Sequence, residues 1–328
     1  CTSGGSSGGE AAIVASGGSW LGVGSDGLGR IRVPAHYCGV PGLRPGWGRV
    51  SRAGHKPGPP GAEGGLPDPG LLTVGPFARS VADLHVALSI MQGPDPLDPN
   101  TFPSPLRDYC QTAQQLRGLK VAVWSESEGA VLTAETASIL GEAATTLEKL
   151  GIDVTNDKPP LADEIYDISQ ALYSPFFIDE WKTVLREHGI EVPGPVDRDM
   201  IEGLADWAKP YSKEQVEAFQ QRLPPLKTGL LTFLQKYDAI ISPVTATPAP
   251  LHATTFDDIR RLVFVQLPAY VPAIPSGSVP CGFSKGDKNQ NPLPIGIQVV
   301  GRKFREDTVL ALMHALEKSL GGWVAPTF

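Results

Sequence analysis

Apolar residues recur at helical spacing in two long stretches of the chain. Ile139, Leu140, Ala143, Leu147 and Leu150 share one face between about Thr133 and Gly151, and Val309, Leu312, Met313, Leu316 and Leu320 do so between about Glu306 and Gly321. Both patterns predict amphipathic helices closed by glycine. A third helix is predicted to open at Ser80, whose hydroxyl can cap the start with Asp83 three residues on. It should run to about Met91 and end before the proline-rich stretch 93–99. Glu10 to Ser16 is alanine-rich and helix-compatible, and Gly17-Gly18 ends it. Short apolar runs bounded by turn residues predict strands at 119–124, 152–154 and 238–243, and Leu21 to Gly24 reads as a short buried strand. Strand, helix, strand alternation puts the chain in the α/β class, with a large mixed, mostly parallel twisted sheet covered by helices on both faces.

Composition agrees with a large core: 41% of the 328 residues are hydrophobic and 19% charged. Residues 1–328 are expected to form a single domain, since no charged or repetitive linker divides them. Residues 55–70 stand apart, carrying Pro57, Pro59, Pro60, Pro67 and Pro69 among glycines, and are predicted to be a surface loop. Residues 161–237 read as mainly helical. Phe176, Phe177, Trp181, Trp207 and Tyr211 supply aromatic bulk there for a core or for a ligand pocket.

The net charge of −7 argues against nucleic acid, which needs clustered lysine and arginine. The pair Arg260-Arg261 reads as a solvated face. No apolar run reaches the roughly 18–20 residues that span a bilayer, so no membrane span is predicted. The four cysteines, at 1, 38, 110 and 281, show no C-x-x-C spacing, which makes a reducing, cytoplasmic compartment the default. Cys38 and Cys281 are expected as small buried residues. The histidines lack the spacing of a zinc helix, so no metal and no other cofactor is expected.

Candidate chemistry lies near the start of the chain. The run Gly4-Gly5-Ser6-Ser7-Gly8-Gly9 is followed by Gly24-Ser25-Asp26-Gly27-Leu28-Gly29-Arg30-Ile31-Arg32-Val33-Pro34. A Gly/Ser run alone is more often a linker, but linkers do not continue into a helix and a strand. This stretch resembles the active-site core of the amidase signature family, whose pattern is GGSSGG and then G-[ST]-D-x-G-G-S-[IV]-R-x-P. Further segments resemble that family too: 37–45 (YCGVPGLRP), 75–84 (GPFARSVADL), 279–282 (VPCG) and 293–301 (LPIGIQVVG). The terminal Leu320-Gly321-Gly322-Trp323 resembles its fatty-acid-amide branch.

The resemblance implies an amidase signature fold and a Ser-Ser-Lys triad that hydrolyses carboxamides without a cofactor. Ser6 falls at the serine that follows a cis peptide bond and relays the proton. Ser7 falls at a hydrogen-bonding support, and Asp26 and Arg32 fall at flanking positions. Arg30 falls where the nucleophilic serine stands. Gly27, Leu28 and Gly29 fall on the oxyanion turn, where Leu28 replaces a glycine and would be strained if that position required positive φ. The family's lysine lies upstream of GGSSGG, and the first lysine here is Lys56, so the chain is expected to lack the amino-terminal part of the fold. The 55–70 loop is implied to lie near the substrate entrance.

Arginine stays protonated and offers only donors, so Arg30 can neither attack a carbonyl nor accept a proton. Ser7 and Ser25 are not expected to replace it. A Ser-His-Asp arrangement through His36 and Asp26 has no supporting G-x-S-x-G elbow. Three readings stay open: an amidase by descent that is inactive as it stands, a pseudoenzyme holding a small-molecule amide or carboxylate ligand, and a non-catalytic subunit of a complex. A homodimer is also open.

Overall fold

A computed structural model describes residues 1–55, 70–110, 114–172, 211–252, 259–286 and 291–326. All of the 55–70 loop but its two end residues lies outside these, as do Phe176, Phe177, Trp181 and Trp207. Among the described residues, eight strands form one mixed sheet: β1 (Leu21–Asp26), β2 (Gly42–Arg44), β3 (Thr73–Ala78), β4 (Lys120–Val123), β5 (Asp153–Asn156), β6 (Ala239–Pro243), β7 (Ser276–Phe283) and β8 (Pro294–Gly301). Their order across the sheet is β1-β3-β2-β7-β8-β6-β4-β5.

The sheet is not mostly parallel. Only β4 with β5 and β4 with β6 run parallel, and the other five pairings are antiparallel. The reason lies in the connections. A helix crossover joins β4 to β5, the one unit whose alternation is plain in sequence, whereas β7 and β8 are consecutive strands that pair antiparallel with each other. β1 is an edge strand rather than a buried one, with Leu21 and Val23 exposed.

The predicted helices form close to their expected bounds: α1 (Gly8–Ala15), α3 (Val81–Met91), α4 (Ala134–Lys149) and α7 (Glu306–Leu320). The Ser80 hydroxyl accepts the Asp83 N–H at 3.2 Å and donates to the Asp83 carboxylate at 2.7 Å. Thr133 caps α4 in the same way, accepting the Thr136 N–H. α5 (Lys213–Lys236) opens with a full capping box between Ser212 and Gln215.

The sheet separates distinct apolar clusters. Leu84 and Leu88 of α3, Leu140 and Leu147 of α4 and Leu312 and Leu316 of α7 pack with Val121, Ile241 and Val299 on one side. On the other, Ala11 and Val14 of α1 meet Phe77 and Ile31, and a larger cluster joins Ile240 to Leu230 of α5 and to Phe264 and Leu267 of α6 (Val263–Ala269). Arg261 does not sit on a solvated face: it is buried, with its Nε 3.4 Å from the Tyr37 hydroxyl. Cys281 is buried and Cys38 is half-buried. Among the described residues, no helix is long and apolar enough to cross a membrane.

α2 (Arg32–Cys38) is held to the sheet by His36, whose Nδ1 accepts the Gly296 N–H at 2.6 Å while Nε2 faces the Thr247 carbonyl at 3.2 Å. That pairing makes it the neutral Nε2–H tautomer. Burial pushes its pKa down from 6.5 to about 4, against the opposing pull of the Thr247 carbonyl. As pH falls below 6.5 the unfolded chain takes up a proton that the folded one refuses until about 4, so folding stability is lost across that window and is full above it. This histidine should therefore cost about 2 kcal/mol of stability between pH 7.5 and pH 5. Urea unfolding at both pH values measures it. His36→Gln, which can donate and accept without titrating, should flatten the difference, and an equal slope in both proteins would refute the assignment.

Candidate functional site

The two Gly-rich motifs meet at the β1 edge. Gly22 and Gly24 leave the α1 face of β1 free of side chains, and Glu10 and Ser7 lie against them there. The Ser7 hydroxyl accepts the Ser25 N–H at 3.3 Å and lies 3.4 Å from the Ser25 carbonyl, and Glu10 Oε1 accepts the Val23 N–H at 3.2 Å. Edge amides that a ninth strand would otherwise use are thus taken by side chains of the GGSSGG loop and the first turn of α1.

Position 30 comes to the same place. A methyl group added at Gly5 would lie 3.5 Å from Arg30 Cγ, so the arginine stem passes over the loop. Ser6, Ser7, Glu10, Ser25, Arg30 and His55 line a common cleft of about 400 Å³. The structure therefore brings Ser6, Ser7 and Arg30 together as the motif spacing suggests. Asp26 and Arg32 lie beneath them, fully buried.

Asp26 organises the turn. Its carboxylate accepts the backbone N–H groups of Gly29 at 2.6 Å, Ile31 at 3.2 Å and Arg32 at 3.3 Å, and both oxygens take the Arg32 guanidinium at 2.9 Å. Arg44 Nε stands 3.9 Å away. Burial alone would raise the Asp26 carboxyl. The Arg32 charge and hydrogen bonds, Arg44 and the Gly29 N–H outweigh it and hold the group well below the usual carboxylate range. Arg32 Nη1 continues to Gln298 Oε1 at 2.6 Å, and Gln298 Nε2 reaches the Ser242 hydroxyl and the Phe264 carbonyl, each at 2.9 Å. One hydrogen-bonded chain thus runs from the turn through β8 to β6 and α6.

Several expectations change here. The peptide bond before Ser6 is trans, like every other among the described residues. A non-proline residue prefers trans by roughly 3–4 kcal/mol, and Ser6 is exposed. Leu28 does not carry positive φ. That conformation falls on Gly29, at +105°, where an added Cβ would also strike Val265 at 2.6 Å. Leu28 packs instead against the cluster that holds Phe264 and Leu267. The Gly29 N–H is committed to Asp26 and does not point freely at a ligand. Both ring nitrogens of His36 are occupied and Asp26 is bound to Arg32, so no Ser-His-Asp arrangement forms. Ser25 is tied through its backbone to Ser7.

Glu10, Arg44 and Gln298 were not legible as site residues. Glu10 reads only as the acid of a helix first turn, and the partners of Arg44 and Gln298 lie from 18 to 266 residues away in other elements and loops. A buried arginine or glutamine inside an apolar segment is the one local signal they carry.

The amidase family profile matches residues 1–310. The chain is 30% identical over 343 aligned positions to a glutamyl-tRNA(Gln) amidotransferase subunit from Moorella thermoacetica, covering 96% of this chain and 66% of that protein. It superposes on a bacterial aryl acylamidase of the amidase signature family with a TM-score of 0.76 at 25% identity, over 97% of this chain and 66% of that one. Fatty acid amide hydrolase shares the fold, with a TM-score of 0.77 at 23% identity over 98% and 60% of the two chains. The chain spans about two thirds of the length of the curated relatives it matches.

If Asp26 holds the turn, Asp26→Asn should leave the Arg32 charge buried without its counter-ion and lower unfolding free energy by about 3–5 kcal/mol. Urea titration at pH 7 reads this directly. A loss under about 1 kcal/mol would show that the turn is held by something else.

Proposed function

The chain belongs to the amidase family, and from that premise we propose that it is a member without the hydrolytic step, whose cleft holds a small carboxyl or amide ligand. The observation that carries this is Arg30: it lines the cleft beside Ser6, Ser7 and Ser25, at the position where the family resemblance puts the attacking hydroxyl. Acyl transfer needs an oxygen or sulfur nucleophile activated by a base. A guanidinium has neither a free lone pair nor a proton to lose near neutral pH, and its planar fork of donors suits a carboxylate or a carbonyl oxygen.

The neighbouring hydroxyls fit this reading. Ser7 spends its hydroxyl on holding the loop to β1, and Ser25 is buried against it. The exposed Ser6 hydroxyl makes no hydrogen bond among the described residues to Glu10 or His55, the two groups on the cleft wall able to take its proton. In an active relative of this kind a carboxamide would be cleaved to carboxylate and amine. Here the carbonyl end would be bound through Arg30 and released unchanged.

A second reading draws on the name of the Moorella relative, which is a subunit. This chain would then serve as a non-catalytic member of a complex. Gel filtration of native extract separates the two, because a stable hetero-complex is required only by the second.

A fluorophosphonate probe should label no serine, and simple alkyl and aryl amides should show no turnover. Labelling at any serine would overturn the non-hydrolytic reading. Arg30→Ser alone should stay inactive, since among the described residues that line the cleft there is no lysine to draw the proton from a restored hydroxyl.

A further inference from the structure

We propose that the outer edge of β1 is a self-association surface, met by the same edge of a second copy of this chain about a twofold axis. Exposed apolar bulk collects there. Ile13, Trp20, Leu21 and Val23 all face water, Trp20 with 76% of its surface. Strand addition is not the way to cover them, because Glu10 and Ser7 already take the amides of Val23 and Ser25. A partner on this edge docks through side chains.

The charges on the edge select the partner. Carried one residue further, the pairing of Leu21 with Ala78 sets Trp20 opposite Arg79. The Arg79 guanidinium lies 3.5 Å from the centre of the Trp20 ring and 5.1 Å from that of Trp323. Among the described residues it makes no hydrogen bond and no ion pair, and its Nη2 is shut off from water. Two residues on along the same face of β1, a step of about 7 Å, Glu10 lies against Gly22. Its Oε1 accepts the Val23 N–H, and among the described residues the carboxylate makes no ion pair. A cation partly stripped of water between two indoles gains most from a carboxylate. A free anion or an anionic surface would meet Glu10 as well, and a cationic partner would meet Arg79. A second copy answers both charges. Twofold contact is reciprocal, so Arg79 of each chain faces Glu10 of the other while Trp20 is buried between them. Leu21 and Val23 flank the contact from the other face of the strand.

Sedimentation velocity of the 328-residue chain over a concentration series at low salt tests this. The expected result is a reversible dimer that weakens as salt is added. Glu10→Lys leaves two cations facing each other and Arg79→Glu two anions, so each variant alone should dimerise at least about tenfold more weakly. Mixed in equal amounts, the two should associate to within about threefold of the wild-type strength, because each supplies the charge that the other lacks. Thermal melts confirm that both are folded. Trp20→Ser, a change at an exposed position, gives a second reading that does not depend on the charge variants, and should weaken the dimer at least about tenfold. A wild-type chain that stays monomeric at every concentration would overturn the proposal. So would a dimer indifferent to Trp20→Ser, or folded charge variants whose mixture fails to associate.

Discussion

The buried pair of Asp26 and Arg32 is the constraint on which the site depends. Removing two charges from water is costly, and the pair is tolerable only because nearly every lone pair and proton on it is used. The carboxylate gathers three amides of the turn and a bidentate guanidinium, and the guanidinium passes on to Gln298. A network that is almost fully satisfied in this way stabilises one backbone path and penalises others, because any alternative leaves a buried charge unpaired. It therefore fixes where residue 30 emerges, whatever side chain that residue carries.

On the reading proposed above, this separation between scaffold and side chain lets the site keep its shape with an arginine at position 30. Asp26, Arg32, Gly29 and Ser7 make their hydrogen bonds to backbone, to one another and, from Arg32, to Gln298, and none of those bonds asks for a hydroxyl at position 30. Arg30 projects from the end of the braced turn into space bounded by the GGSSGG loop, so a long side chain is accommodated there. Glu10 lines the same cleft and closes an edge amide of β1.

Much of the layout was legible before any coordinates. The helices at 81–91, 134–149 and 306–320 carry caps and apolar faces within their own sequence, and they fall where those signals put them. Strand pairing was less so. β2 has three residues and pairs with β3 and β7, contacts between segments that carry no mark of one another. The parallel βαβ unit at 120–156 is visible because its helix is local, and extending that pattern to the whole sheet was the error. Arg261 shows the same limit, since a basic pair in sequence does not reveal which member turns inward onto Tyr37.

By itself the sequence determined the amidase family and the local helices, because both are written in residue identity at short spacing. Tertiary structure alone decided that Asp26 belongs to Arg32 and not to Arg30, that Gly29 and not Leu28 takes the left-handed conformation, and that Glu10 faces the cleft. Those outcomes turn on which groups a folded chain excludes from water together. Burial makes an unpaired charge or an orphaned amide expensive only once segments distant in sequence have closed around it.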